Sequence, residues 1–392
     1  MKTIQLKQKA AQRVLKGNPL LVKDDFVDPL NEKEGALVEL SDENNRFVAT
    51  AYLATQNKGN GWVLTLNPNE VITENFYDRL FSQAAEVREG LKADETTTAY
   101  RFFNGEGDGL GGLTIDVYAG YYVFSWYSAG IFEHHKTIYR AFQQAVPDAK
   151  GIYQKFRYKR SDDVLSEFVS GQQAPEPLII QESGIQYAVY LDDGLMTGIF
   201  LDQRHVRKNL MEKYSLGRSV LNTFSYTGAF SVAAALGGAT ETVSVDLAKR
   251  SLPKTEEQFA VNELSLENHK IRVMDVFDYF KYAVRKELVF DTVVVDPPSF
   301  ARSKKRTFSV AKNYTALLED IIDITSAGGT IIASTNSAAV STNRFESFIK
   351  DAFGNKGIRY RIMEKHTLPE DFKVNPHFKE GNYLKVYIIQ KG

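Results

Sequence analysis

Val293-Val294-Val295-Asp296-Pro297-Pro298-Ser299-Phe300 is an apolar run that ends abruptly on an acid, two prolines and an aromatic. Three β-branched residues in a row read as a strand buried on both faces, the pattern of a parallel sheet interior. Proline carries no N–H for a sheet ladder, so the strand must stop where Pro297 begins. Asp296 and Phe300 are thereby placed at the carboxyl end of a central strand. In open α/β sheets that edge is where ligands bind.

Working outward, residues 219–392 alternate strand and helix. Strands are predicted at 219–224, 241–246, 270–274, 290–296 and 330–335, with helices at 228–236, 248–262, 276–286 and 311–325. Two closing strands follow at 357–365 and 382–390. This is the pattern of a doubly wound α/β sheet with helices on both faces. Upstream, residues 1–70 read as a small β-rich domain and 71–180 as a small α+β unit. Residues 181–392 form the α/β domain, which opens on a hairpin after Pro175 and Pro177. The glycine-rich stretch from Gly105 to Gly112 has a strand on each side and no following helix, so it reads as a hairpin turn and not as a phosphate loop.

The totals narrow the field. The chain has 392 residues, 43% of them hydrophobic and 25% charged, with a net charge of −1. No apolar run is long enough for a membrane span, and the first residues lack a secretory core, so a cytoplasmic place is expected. A nucleic-acid site must then be a local patch. Three basic clusters exist: Lys2 to Lys23, Lys155 to Arg160, and Arg302, Lys304, Lys305 and Arg306. The first two read as solvated surface. The third adjoins the Asp-Pro-Pro loop and is the candidate nucleic-acid contact. There is no cysteine, which excludes disulfides, Cys-ligated zinc and thiol nucleophiles. No metal site is expected.

Four strand ends carry distinctive residues. After the first strand, Asn222-Thr-Phe224-Ser225-Tyr226-Thr227-Gly228 leads into a helix of small residues, whose backbone N–H groups can receive a polar ligand. Asp246 ends the second strand, where an acid accepts ribose hydroxyls or caps the next helix. Asp275, with Val276 after it, ends the third, placed for an adenine amino group or for capping. Asp296 ends the fourth.

In order and spacing these segments resemble the bacterial ribosomal RNA large-subunit methyltransferase I family. The stretches carrying the resemblance are LNTFSYTGAF, VSVD, VVVDPPSFARSKK, GIFLDQR, NGEGDGLGGLTID and PEDFKVNPHFKEGNYLK. Residues 1–70, with GALVELSDENNRFVATAYL, resemble a PUA domain, an RNA-binding barrel. The resemblance implies S-adenosylmethionine held by Phe200, Gln203, Arg204, Asn222 to Gly228, Asp246, Asp275, Val276 and Asp296. It also implies a target base facing Asp296, Pro297, Pro298 and Phe300, and 23S rRNA as the partner. Exposed edge strands permit a homodimer.

One departure matters. Methylation of cytosine C5 needs a thiolate adduct, and relatives that do this carry the cysteine after the fifth strand. Here that place reads Thr335-Asn336-Ser337. Methyl transfer to a nucleophilic ring or exocyclic nitrogen is expected instead, with Asn336 bonding the base edge. Asn336 also resembles the Ser-Asn-Asn of guanine-N7 methyltransferases in the same superfamily, although it fits a plain turn residue as well. The competing readings are a non-catalytic RNA-binding or assembly factor and a nicotinamide-dependent oxidoreductase. The Asp-Pro-Pro-Ser-Phe segment has no use in hydride transfer.

Overall fold

Successive residues of a strand point to opposite faces, and the apolar run obeys this. Val293 and Val295 lie in one hydrophobic cluster and Val294 in another, and all three are fully buried. Burying one such side chain contributes about 1.5–3 kcal/mol before entropy is counted. The computed structural model describes residues 1–57, 59–302 and 307–392. They divide into two units. The first is Met1–Gln181 with Val189–Thr197 and Glu370–Gly381, and the second is Glu182–Ala188, Gly198–Pro369 and Asn382–Gly392.

The second unit is built on seven strands: β1 (Ser219–Thr223), β2 (Glu241–Asp246), β3 (His269–Val273), β4 (Phe290–Val295), β5 (Thr325–Thr335), β6 (Tyr360–His366) and β7 (Lys385–Lys391). Their spatial order is β3-β2-β1-β4-β5-β7-β6. The first five are mutually parallel, as the alternation predicts, whereas β7 runs antiparallel to both neighbours. The helices are α1 (Arg204–Lys213), α2 (Ala229–Leu236), α3 (Ser251–Ala260), α4 (Val276–Arg285), α5 (Val310–Asp323) and α6 (Thr342–Lys356). Helices α4, α5 and α6 cover one face of the sheet, and α1 and α2 the other. The sequence reading has no counterpart for α6. Its signal is nonetheless present: Ser341 caps it, and Phe345, Phe348, Ile349, Ala352 and Phe353 are buried at helical spacing.

The first unit holds two five-stranded sheets. One comprises Lys2–Gln5, Leu37–Ser41, Phe47–Gln56, Gly59–Thr65 and Leu20–Leu21, with helix Gln8–Leu15 burying Ala10, Ala11 and Val14. The strand Lys2–Gln5 escapes the sequence reading because Ile4 is its one buried residue. The other sheet runs Ser166–Gly171, Gly151–Phe156, Tyr121–Trp126, Leu113–Tyr118 and Ala99–Asn104. Helices Glu74–Val87 and His135–Ala145 supply Phe81 and Phe142 to its aromatic core, where Phe142 meets the rings of Phe102, Tyr122 and Phe124 edge-on.

The glycine-rich stretch is a hairpin turn between antiparallel strands. Its glycines sit at close approaches: a Cβ on Gly107 would overlap the Lys373 carbonyl, and one on Gly111 would overlap the Trp62 ring. The expectation that Lys155 to Arg160 is solvated surface is corrected. Lys155 is 1% exposed and donates to the Gly194 carbonyl at 2.5 Å, and Arg157 donates to the Leu195 carbonyl at 2.8 Å. Burial brings the Lys155 pKa down to about 8. Arg160 pairs with Asp162, and only Lys159 of the four is exposed.

The segment Glu370–Gly381 is bonded into this unit. Arg88, in a buried 2.7 Å ion pair with Asp108, also donates to the Asp371 carbonyl, and Asn104 donates to the Lys373 carbonyl at 2.8 Å. No described helix is long and apolar enough to cross a membrane. Gly111→Ala forces a methyl into the Trp62 ring, so it is expected to destabilise the first unit by about 1–3 kcal/mol, read by denaturant unfolding against Gly90→Ala, where a Cβ meets nothing within 4 Å.

Candidate active site

At the carboxyl edge of the second unit's sheet, the turn after β1 adopts a conformation that side chains resist. Phe224 (φ 54°), Tyr226 (φ 53°) and Gly228 (φ 78°) are all left-handed. Such residues cost about 1–3 kcal/mol each unless their surroundings hold them, and they concentrate where ligands bind. The restraints are visible. Ser225 N donates to the Val245 carbonyl at 3.1 Å, Tyr226 N to Asp246 Oδ2 at 2.9 Å, and Thr227 Oγ1 to the Gly198 carbonyl at 2.6 Å. Gly228 has no alternative residue, because a Cβ there would overlap the Thr255 side chain as well as meeting the positive φ. The Ser225 hydroxyl is buried without a protein partner among the described residues.

The acids after β2 and β3 differ in what they hold. Asp246 joins two turns, since its other oxygen accepts from Ala248 N at 2.8 Å. Helix α3 begins only at Ser251, so Asp246 caps no helix. Asp275 does cap one: it accepts from Phe277 N and Asp278 N at the start of α4. Val276 is buried in the core beside it. Asn222 departs from the expected ligand contact. It is 1% exposed, and its amide donates to Ser231 Oγ at 3.0 Å, which bonds Ser244 Oγ at 2.6 Å. Strand parity turns Asn222 toward α2, so it fastens β1, α2 and β2 together from inside.

After β4 the chain forms the wall that the sequence singles out. Asp296 keeps part of its surface open, yet dense packing around its carboxylate raises the pKa to about 6. Hydrogen bonds from Ser334 and Gln203 oppose the shift, and the nearby Asp202 carboxylate adds to it. Gln203 Nε2 donates to Ser334 Oγ at 2.9 Å, while its Oε1 is buried without a partner among the described residues. Pro297 is buried, Pro298 is exposed and Phe300 is 62% exposed. Ser299 Oγ donates to Asn336 Oδ1 at 2.8 Å, which joins the loops after β4 and β5. Asn336 itself is exposed.

The turn before α1 closes the group. The Phe200 ring stands 5.4 Å from that of Tyr226, and the Phe200 carbonyl accepts from Arg207 at 2.7 Å. Arg207 in turn forms a buried two-bond ion pair with Glu182. Arg204 is 3% exposed. The structure therefore brings together the loops bearing Phe200 to Arg204, Phe224 to Gly228, Asp246, Asp296 to Phe300 and Asn336. Arg302 is exposed in the short hairpin after the Asp-Pro-Pro loop, and Lys304, Lys305 and Arg306 lie outside the described residues.

Sequence reasoning gave Ser334, Tyr383 and Lys385 no role, and it included Asp202 only as part of the Phe200 to Arg204 stretch. Asp202 accepts from the Tyr383 hydroxyl at 2.9 Å, and Ser334 bonds both Gln203 and Asp296. Asp202, Tyr383 and Lys385 lie within stretches that already carry the resemblance, GIFLDQR and EGNYLK, which was the available signal. The arrangement offers a strained turn with the buried Ser225 hydroxyl at one end and, at the other, acceptors beside an exposed ring. The unpartnered hydroxyl of Ser225 and amide oxygen of Gln203 are places for a ligand carrying both donors and acceptors.

A family model described as an S-adenosylmethionine-dependent methyltransferase matches residues 101–376, and one for a PUA-like domain matches residues 4–66. The chain is 52% identical, over the full length of both proteins, to YwbD of Bacillus subtilis, provisionally named a ribosomal RNA large subunit methyltransferase. It is 30% identical to ribosomal RNA large subunit methyltransferase I of Aeromonas salmonicida, over 92% of this chain and 91% of that protein. The crystal structure of SMU.776, provisionally described as a methyltransferase and complexed with SAH, superposes with a TM-score of 0.94 at 42% identity, covering all of both chains. The chain belongs to the S-adenosylmethionine-dependent methyltransferases, an enzyme family whose methyl donor it shares, and it carries a PUA-like domain at its amino end.

Proposed function

We propose that this enzyme methylates a base of 23S ribosomal RNA, on a ring or exocyclic nitrogen, in the bacterial cytoplasm. The observation that carries the reading is the Ser299–Asn336 bond. It sets the Asp-Pro-Pro-Ser-Phe loop beside an asparagine in a chain without cysteine. A cytosine-C5 adduct has no thiolate to form it. The substrate class is supported by the names of the full-length relatives and by the PUA-like domain.

When bound, S-adenosylmethionine supplies a methyl group on a sulfonium, which an unshared nitrogen pair can take directly. The chain's own residues do the rest by positioning. Asp246 accepts ribose hydroxyls while its bonds to Tyr226 N and Ala248 N keep it oriented. The Phe224 to Gly228 turn and the Phe200 to Arg204 turn enclose the donor. Asp275, with Val276, shapes the adenine end through the cap of α4, and Asn222 supports the turn from below. Phe300 stacks on the exposed base, and Asp296 and Asn336 bond its edge. Arg302, with Lys304, Lys305 and Arg306, meets the backbone phosphates.

Nucleoside mass spectrometry of 23S rRNA from a deletion strain tests the reading. One methylated nucleoside is expected to disappear and to return when the purified enzyme and donor are added. An unchanged nucleoside profile would sink the proposal. Phe300→Ala is expected to lower kcat/KM by about tenfold or more, on the scale of one lost base stack, with donor affinity kept within about twofold. Asp246→Ala is expected to weaken donor binding about tenfold by calorimetry, because hydrogen bonds to a carboxylate are lost.

Asp296 makes a prediction about pH. Its native pKa of about 6 lies above the ordinary value of 3.8, so the folded state holds the proton more tightly. The stability linked to this group is full below pH ~4 and is lost as pH rises through about 6. Asp296→Asn should therefore raise the unfolding midpoint relative to wild type more at pH 8 than at pH 4. Activity that needs the carboxylate as acceptor should rise across the same window and vanish in the variant. A wild-type profile flat from pH 5 to 8 would remove Asp296 from the acceptor role.

A further inference from the structure

Lys385 is the first residue of β7 and sits directly opposite Thr335, the last residue of β5. It is 6% exposed. Its ammonium donates to the Ser337 carbonyl and to the Tyr383 carbonyl, each at 2.9 Å, and among the described residues no carboxylate lies within ion-pair distance. Removing an ammonium from water without an anion to meet it is costly, and burial accordingly lowers its pKa. Its two donations are what offset that cost.

What they hold is the turn that presents Asn336. The Ser337 carbonyl accepts from Lys385 and also from Val340 N at 3.1 Å, and Ser337 N donates to Thr335 Oγ1 at 3.2 Å. Asn336 lies between these two anchored residues and receives the Ser299 hydroxyl. Two residues before Lys385, the Tyr383 hydroxyl bonds Asp202, whose charge acts on Asp296. The start of β7 thus grips both sides of the wall. Lys391, at the other end of the same strand, also donates to two carbonyls, those of Ile322 and Thr325. That contact closes the end of α5, far along the strand from the carboxyl edge, and it provides an internal control.

We propose that Lys385 is a positioning residue for methyl transfer: its two carbonyl bonds set the Thr335-Asn336-Ser337 turn so that Asn336 faces the acceptor base. The inference rests on the reading of Asn336 as a base contact. It assigns Lys385 no contact with the donor or the RNA.

A double-mutant cycle on the full chain tests it, with 23S rRNA from a deletion strain and S-adenosylmethionine as substrates. Lys385→Met and Asn336→Ala are each expected to lower kcat about tenfold with donor affinity within about twofold of wild type. The double variant is expected to be no worse than the poorer single one, because both remove the same contact. Lys391→Met should lower stability without this signature. Hydrogen exchange in the absence of RNA adds an arm independent of activity: Lys385→Met should speed exchange of amides 336–340 about tenfold and leave other strand ends unchanged.

Unaltered exchange at 336–340 overturns the inference. So do additive losses in the cycle, which leave the role of Asn336 standing. A neutral Asn336→Ala overturns both the inference and the base-contact reading. If Lys385→Met does not fold, Lys385→Leu, which likewise carries no donor, replaces it in every arm.

Discussion

Proline has no N–H, and the second unit is arranged around that fact. β4 is buried on both faces, between helices α4 to α6 on one side and α1 and α2 on the other. Its ladder to β1 and β5 ends at Val295. Pro297 and Pro298 cannot extend it. The backbone must therefore leave the sheet at its most buried strand, carrying a carboxylate with it. Asp296 keeps its place because Ser334, on the adjoining β5, and Gln203 supply the donors that the vanished ladder no longer provides. Strand termination, and not a dedicated pocket, is what puts an acid, a rigid turn and an exposed ring within one span of chain.

That arrangement exchanges stability for chemistry at two points. The turn after β1 holds two non-glycine residues at positive φ, and Asp296 is held in surroundings that resist its charge. Both are unfavourable in isolation. Each is compensated by bonds to neighbouring strand ends, Asp246 to Tyr226 in the first case and Ser334 in the second. The two strained points are thus secured from β2 and β5, on opposite sides of β1 and β4. A rigid parallel sheet suits such a site, because its strand ends move little relative to one another.

Much of this was legible in the residues, for physical reasons. The apolar run of β4 and the β-branched, helix-alternating segments of β1 and β2 make these three strands recoverable almost to the residue. Side-chain surroundings were harder to read. Asn222 and Asp246 share a face of the sheet, but Asn222 lies opposite Ser244, two residues before the end of β2, where it bonds Ser231, whereas Asp246 is the last residue of β2 and bonds the loops. Asp275 had two readings from sequence, and the geometry realises the cap. Lys155 and Arg157 show the converse error. Their charge suggested solvent, while their carbonyl acceptors, near residue 194, lie too far along the chain for any local rule to foresee.

The segment Glu370–Gly381 marks where sequence order and spatial grouping separate. It lies between β6 and β7, both in the second unit, yet its own bonds belong to the first. No composition shift announces it, because a segment that docks on a ready-made surface needs few apolar residues of its own. After it the chain returns to the second unit, where Lys385, the first residue of β7, is fixed by its bonds to the Ser337 and Tyr383 carbonyls and by its pairing opposite Thr335. Strand ends fray where nothing holds them, and these bonds within the second unit hold this one where the Asn336 turn depends on it.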